Sequence, residues 1–151
     1  MSTDFIDPAN PVVALCAEGM AVEGTTAEAR RLFEQAWAAR RDDFDAAVAA
    51  HFLARHQPTP EETLRWSALA VQHAEAVSDG RGAGLLASLY LNLGDAQANL
   101  GDLATAARSA RCAAEHLATL PPGGYREFVA LGVGRLAARV GAWPMLSRAN
   151  T

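Results

Sequence analysis

The amino-acid sequence predicts an all-α fold, and three observations carry that expectation. About a fifth of the 151 residues are alanine, the strongest helix former because it loses no side-chain entropy on ordering. Runs of β-branched and aromatic residues of the kind that build strands are missing. Proline and glycine breaks recur at intervals that leave segments of helical length between them, several of them opened by helix-capping residues.

Each segment has its own punctuation. Asn10 followed by Pro11 is an N-cap with proline in the first turn, so a helix is expected from there to about residue 23, ended at Gly24. Thr25 and Glu28 form a capping-box pattern that starts a second helix, running to about residue 40, with Arg40 and Arg41 in the last turn where cations suit the dipole. A third helix is expected over about 43–56. Pro58-Thr59-Pro60 stops it, and Thr59 with Glu62 caps a fourth helix that reaches about residue 77. The glycine-rich stretch 78–82 is a loop. A fifth helix follows over about 84–99, Gly101-Asp102 makes a turn, and a sixth helix runs to about residue 119. After the break at 121–124, a seventh is expected over 125–140, ending at Gly141, with an irregular tail over 141–151.

The length suits one domain with its own core. The net charge is −4, and all 13 basic residues are arginine. Binders of a phosphate backbone carry a basic excess clustered on one face, so nucleic acid is not expected as a partner. Cys16 and Cys112 lie far apart in apolar helical stretches and read as reduced, buried thiols. The first ten residues hold two aspartates and no basic residue, unlike a signal peptide, and no apolar run reaches membrane-spanning length. A cytoplasmic protein without membrane association is the expectation.

Pairs of short helices joined by tight turns call for a search for internal repeats. The best-formed unit is Tyr90, Leu93-Gly94, the Gly101-Asp102 turn, then Ala106 and Ala113. Aligned on the turn, a first copy has Ala17 at the close-packing place, Gly24 at the turn, then Ala29, Phe33 and Ala36. A second copy has Pro58-Thr59 at the turn, then Thr63, Ser67 and Ala70, with His51 where a glycine is typical and Ala47 where an aromatic is typical. Ala29 and Thr63 are 34 residues apart, whereas Thr63 and Ala106 are 43 apart, the excess falling in the fourth helix and the glycine-rich loop. Leu131-Gly132 repeats the Leu-Gly pair in the last helix.

These residues resemble the tetratricopeptide repeat (TPR) family, in a bacterial TPR-like form, over about residues 10–140. The resemblance implies a single domain spanning 1–151, with hairpins at about 10–41, 43–78 and 84–119 and a capping helix at about 125–140. The hairpins would stack as a short right-handed α-solenoid, each burying the apolar face that its neighbour cannot bury alone. The first helices would line a concave groove. By resemblance, that groove presents Glu18 with Ala14 and Val22 in the first copy, and Asp45, Val48, Phe52, Arg55 and His56 in the second. The third copy gives Ser88, Leu91, Asn92, Asp95 and Asn99, and the cap gives Arg126, Val129 and Val133. Of these, Glu18, Phe52, Arg55, Leu91, Asn92, Asp95 and Asn99 are the candidate binding residues. Phe52 and Leu91 suit the groove and the space between hairpins equally well. The lysine-dependent clamp that holds chaperone tails is missing, since the chain has no lysine.

Other patterns give no chemistry. His51 and His56 are five apart and face different sides of a helix, and no Cys/His group has zinc spacing. The stretch Gly80 to Gly84 lacks the preceding strand and the Lys-Ser/Thr of a phosphate loop. Glu61-Glu62 is helix-start chemistry. Trp37 and Trp66 are expected to pack between hairpins. The expectation is therefore a non-catalytic module with no cofactor and no metal, which holds a peptide or partner helix. The alternatives are a self-associating structural protein, for instance a homodimer, or a small-ligand sensor that acts through a partner.

Overall fold

The computed structural model describes residues 7–141, which form seven α-helices and no strand. The helices are α1 (Pro11–Ala21), α2 (Thr26–Ala38), α3 (Asp43–Ala54), α4 (Pro60–Ala76), α5 (Ala83–Asn99), α6 (Leu103–Leu117) and α7 (Gly124–Arg139). All seven expected helices are present. The expected tail lies outside the described residues except for Gly141, whose φ of +72° ends the chain's run after α7. Among the described residues no helix is long and apolar enough to cross a membrane.

The caps explain most of the boundaries. The Asn10 carboxamide oxygen accepts from the Val12 and Val13 amides, Asp42 accepts from the Asp45 amide, Thr59 from the Glu62 amide, and Asp102 from the Thr105 amide. Each satisfies a donor that the first turn leaves open. Thr25 does not follow the pattern: its backbone sits at φ −110°, ψ 87°, and its hydroxyl caps nothing, so the box expected with Glu28 is not formed. Helix α2 also stops at Ala38, which leaves Arg40 and Arg41 beyond it. Arg40 still serves the helix end, donating to the Trp37 carbonyl at 2.7 Å with its guanidinium 4.0 Å from the Trp37 ring centre.

The helices fall into two compact units, residues 7–82 and residues 83–141. In the first, α1 packs on α2, both touch α3, and α3 packs on α4. Its core gathers Val12, Cys16, Ala29, Phe33, Ala36, Ala49 and Leu53. Phe33, fully buried, lies against the backbone of Gly19, where a Cβ would overlap three atoms of its ring. Gly19, not Ala17, is therefore the close-packing residue of this hairpin, and Ala17 is exposed. An alignment anchored on the turn does not carry the phase of the preceding helix, because four residues join α1 to α2 but three join α5 to α6. Trp37 of α2 meets Trp66 of α4 edge-on, with ring centres 5.0 Å apart, as expected for residues packing between hairpins. Asp45, fully buried at the start of α3, accepts from the Asn10 side chain at 2.7 Å and from the Arg41 backbone and guanidinium at 3.0 and 2.9 Å. It ties the α1 cap to the α2–α3 connection.

In the second unit, α5 packs on α6, and both touch α7. Ala87, Ala113, Leu120, Val129 and Val133 form one core cluster, and Ala98, Ala106, Ala110 and Leu136 another. At Gly94 a Cβ would lie 2.5 Å from the Leu136 side chain and 3.3 Å from Ser109, so α5 approaches its neighbours there by having no side chain.

Candidate functional site

Three candidate residues lie in the first unit. Glu18 is exposed on α1. Phe52 is half-buried, its ring stacked on Phe33 at 5.2 Å and met edge-on by His51 at 5.0 Å, so much of it serves the α1–α3 core. Arg55, at the end of α3, is exposed. It donates to the Glu23 carboxylate at 2.8 Å and lies 5.8 Å from the Phe52 ring centre. Four lie on α5 in the second unit. Leu91 packs against both core clusters and fills the space left by Gly132 of α7, where a Cβ would come within 2.6 Å of it. Asn92 and Asp95 are half-buried and Asn99 is exposed. Arg139 of α7 donates to the Asn99 side-chain oxygen at 2.8 Å. Burial pushes the Asp95 carboxyl above the usual aspartate value, and the Arg139 charge works against that shift.

Several of the residues expected to face a groove do not. Asp45 is fully buried. Burial by itself would raise its carboxyl, but the bonds from Arg41 and Asn10 outweigh this and hold it below the ordinary aspartate value. Val129 and Val133 are core residues. Ser88 accepts from the Tyr125 hydroxyl at 3.3 Å and is occupied in joining α5 to α7. These residues lie on helices met by two or three others, α3 by α1, α2 and α4, α5 by α6 and α7, and α7 by α5 and α6, so the stripe left for solvent is narrower than a single hairpin allows.

Comparisons with protein-family models, curated proteins and solved structures find no match.

What the geometry can do is therefore read from the side chains themselves. On α5 and α7, Asp95, Asn99 and Arg139 offer an acceptor, an amide and a cation within one cluster, a set suited to the polar groups of a peptide. On α7, Phe128 and Leu131 stand one turn apart and are 75% and 63% exposed. No feature of the sequence pattern marked them, because in a helix with apolar residues all round only packing decides which face is covered. Around Arg55, a cleft of about 860 Å³ runs between the start of α2 and the end of α3. His56 borders it. That side chain is 9% exposed, its ring stacks on Phe33 at 5.3 Å, and its Nε2 has no hydrogen-bond partner.

Proposed function

We propose that the chain is a non-catalytic helical-repeat module of TPR type that holds a peptide or a helix of a partner protein. In this reading, hairpins α1–α2, α3–α4 and α5–α6 stack as a short right-handed solenoid capped by α7. The candidate contacts are exposed residues of the first helices, Glu18 and Arg55 in the first unit and Asn99 in the second.

The observation that carries the reading is repetition. The second helix of each hairpin bears small or apolar residues at the same spacing: Ala29, Phe33 and Ala36 on α2, Thr63, Ser67 and Ala70 on α4, Ala106, Ala110 and Ala113 on α6. All are buried except Thr63. The α1–α2–α3 set and the α5–α6–α7 set also share one pattern of neighbours. A scaffold repeated in this way spends its interior on close helix packing and leaves its surface for recognition. Charge-bearing variants at exposed positions, Glu18→Arg and Asn99→Arg, test it. Each should keep its helical circular dichroism and lose partner capture, and capture unchanged in the folded double variant would refute the groove.

A second reading, self-association through α7, is favoured by Phe128 and Leu131, since exposed apolar side chains this prominent mark contact surfaces. Light scattering over a concentration series distinguishes it. A strictly monomeric protein at high concentration rules it out.

A further inference from the structure

We propose that the bare face of α7 pairs with α7 of a second copy of this chain, the two helices running antiparallel about a twofold axis at Leu131. The inference rests on the second reading above, self-association through α7, and adds to it the arrangement of the interface.

The two faces of α7 differ in what meets them. Val129, Val133, Leu136 and Ala137 are buried, on a helix that packs against α5 and α6. Glu127, Phe128, Leu131, Arg135 and Ala138 are exposed. At about 100° per residue, these five fall within about 60° of the Leu131 direction and so form one stripe. Phe128 and Leu131, 75% and 63% exposed, are the two most exposed large apolar side chains among the described residues, and they adjoin on this stripe.

The stripe is its own complement. Counted from Leu131, Glu127 and Arg135 lie four residues to either side, Phe128 and Gly134 three, and Gly124 and Ala138 seven. In a twofold interface residue i meets residue j of the other copy, and j meets i. An antiparallel pair centred on Leu131 therefore brings the Glu127 carboxylate level with the Arg135 guanidinium of the second copy, and the symmetry repeats this at the other end. Phe128, the bulkiest side chain of the stripe, comes level with Gly134, which opposes it with no side chain. Gly124 comes level with Ala138, so the helix ends can also approach closely. Leu131 meets itself on the axis.

The charges select this partner and this direction. Neither Glu127 nor Arg135 has an ion-pair partner among the described residues. Eight residues apart, or about 12 Å along the helix, they are too distant to pair within one chain. A parallel arrangement would set Glu127 against Glu127 and Arg135 against Arg135. A partner of other sequence needs no such symmetry, whereas a second copy accounts for all of it. One face of a 16-residue helix buries less than the roughly 1,600 Å² of a standard interface, so the dimer is weak and reversible.

Sedimentation equilibrium of the full chain, over a concentration series into the millimolar range, tests this. The wild type should show a reversible monomer–dimer equilibrium, and Leu131→Asp should abolish it. Glu127→Arg and Arg135→Glu should each weaken it about tenfold, because each turns both ion pairs into like-charge contacts. The double variant Glu127→Arg/Arg135→Glu restores opposite charges and should return to within about threefold of the wild type. All three residues are exposed, circular dichroism checks the fold, and recovery in the double variant excludes lost structure as the cause. A wild type that stays monomeric, as it would if residues 142–151 covered the stripe, overturns both this arrangement and the reading it rests on. So does a dimer indifferent to Leu131→Asp. A dimer lost with Leu131→Asp but unmoved by the single charge reversals, or not restored in the double variant, overturns the antiparallel pairing alone and leaves self-association through α7 standing.

Discussion

Acid should destabilise the first unit through one side chain, His51. Burial, aided by the Arg55 charge one turn away on α3, holds its pKa down at about 4, against 6.5 for the free side chain. A histidine depressed in this way favours the folded state only while neutral. Above about pH 6.5 both states are unprotonated and the stability is at its full value. Below that the unfolded chain binds a proton that the folded chain refuses, and stability falls by about 1.4 kcal/mol per pH unit until the folded pKa is reached. Between about pH 7.5 and pH 5 the loss from His51 alone is about 2 kcal/mol, with a limit of about 3 kcal/mol in stronger acid. Asp45, held below the ordinary aspartate value, acts in the same direction but only in more acid solution, so the two do not overlap in this window. The assay is urea denaturation followed by tryptophan fluorescence in a Trp143→Phe background, which leaves Trp37 and Trp66, both in the first unit, as reporters. His51→Gln should lose about 2 kcal/mol less than the wild type over this pH range, other titrating groups being common to both. An equal loss in the two proteins would refute the reasoning, because it would mean that His51 titrates alike in the folded and unfolded chain.

Four further outcomes follow from the packing. Gly19→Ala should lower the stability of the first unit by about 1–2 kcal/mol, since overlap with the buried Phe33 ring outweighs the gain in helix propensity. Gly24→Ala, with nothing near the new Cβ, should be close to neutral in the same urea titration. Asp45→Ala should cost about 2–4 kcal/mol by leaving the Asn10 amide and the Arg41 amide without their acceptor, and Asp45→Asn should cost less; thermal unfolding ranks the two. Phe128→Asp should leave the melting temperature almost unchanged, because the ring is 75% exposed, while abolishing any concentration-dependent scattering.

The helices were legible because their signals are local. Asn10, Asp42, Thr59 and Asp102 cap the amides two or three residues on, and such short-range bonds survive in any tertiary setting. The small-residue stripes on α2, α4 and α6 were legible for a similar reason, since spacing along one helix fixes a face. What depended on contacts between helices was not. Asp45 has the spacing of a groove residue, but its partner Asn10 lies 35 residues earlier and draws it inside. Ala17 and Gly19 differ only in which one faces Phe33, and the length of the α1–α2 turn decides that. Arg55 is a candidate by its place in the repeat, whereas its neighbours across the cleft, Arg30 and Arg31, carry no such mark, because nothing in a linear pattern brings the start of α2 beside the end of α3.

The central claim is that the exposed residues of the first helices hold a partner. The most direct measurement is quantitative affinity capture from source-cell lysate, comparing the wild type with the folded Glu18→Arg/Asn99→Arg double variant and with Phe128→Asp. The account predicts one protein captured in a fixed ratio by the wild type and by Phe128→Asp, and lost from the double variant. Capture that survives in the double variant but disappears with Phe128→Asp would contradict it and give the recognition surface to α7.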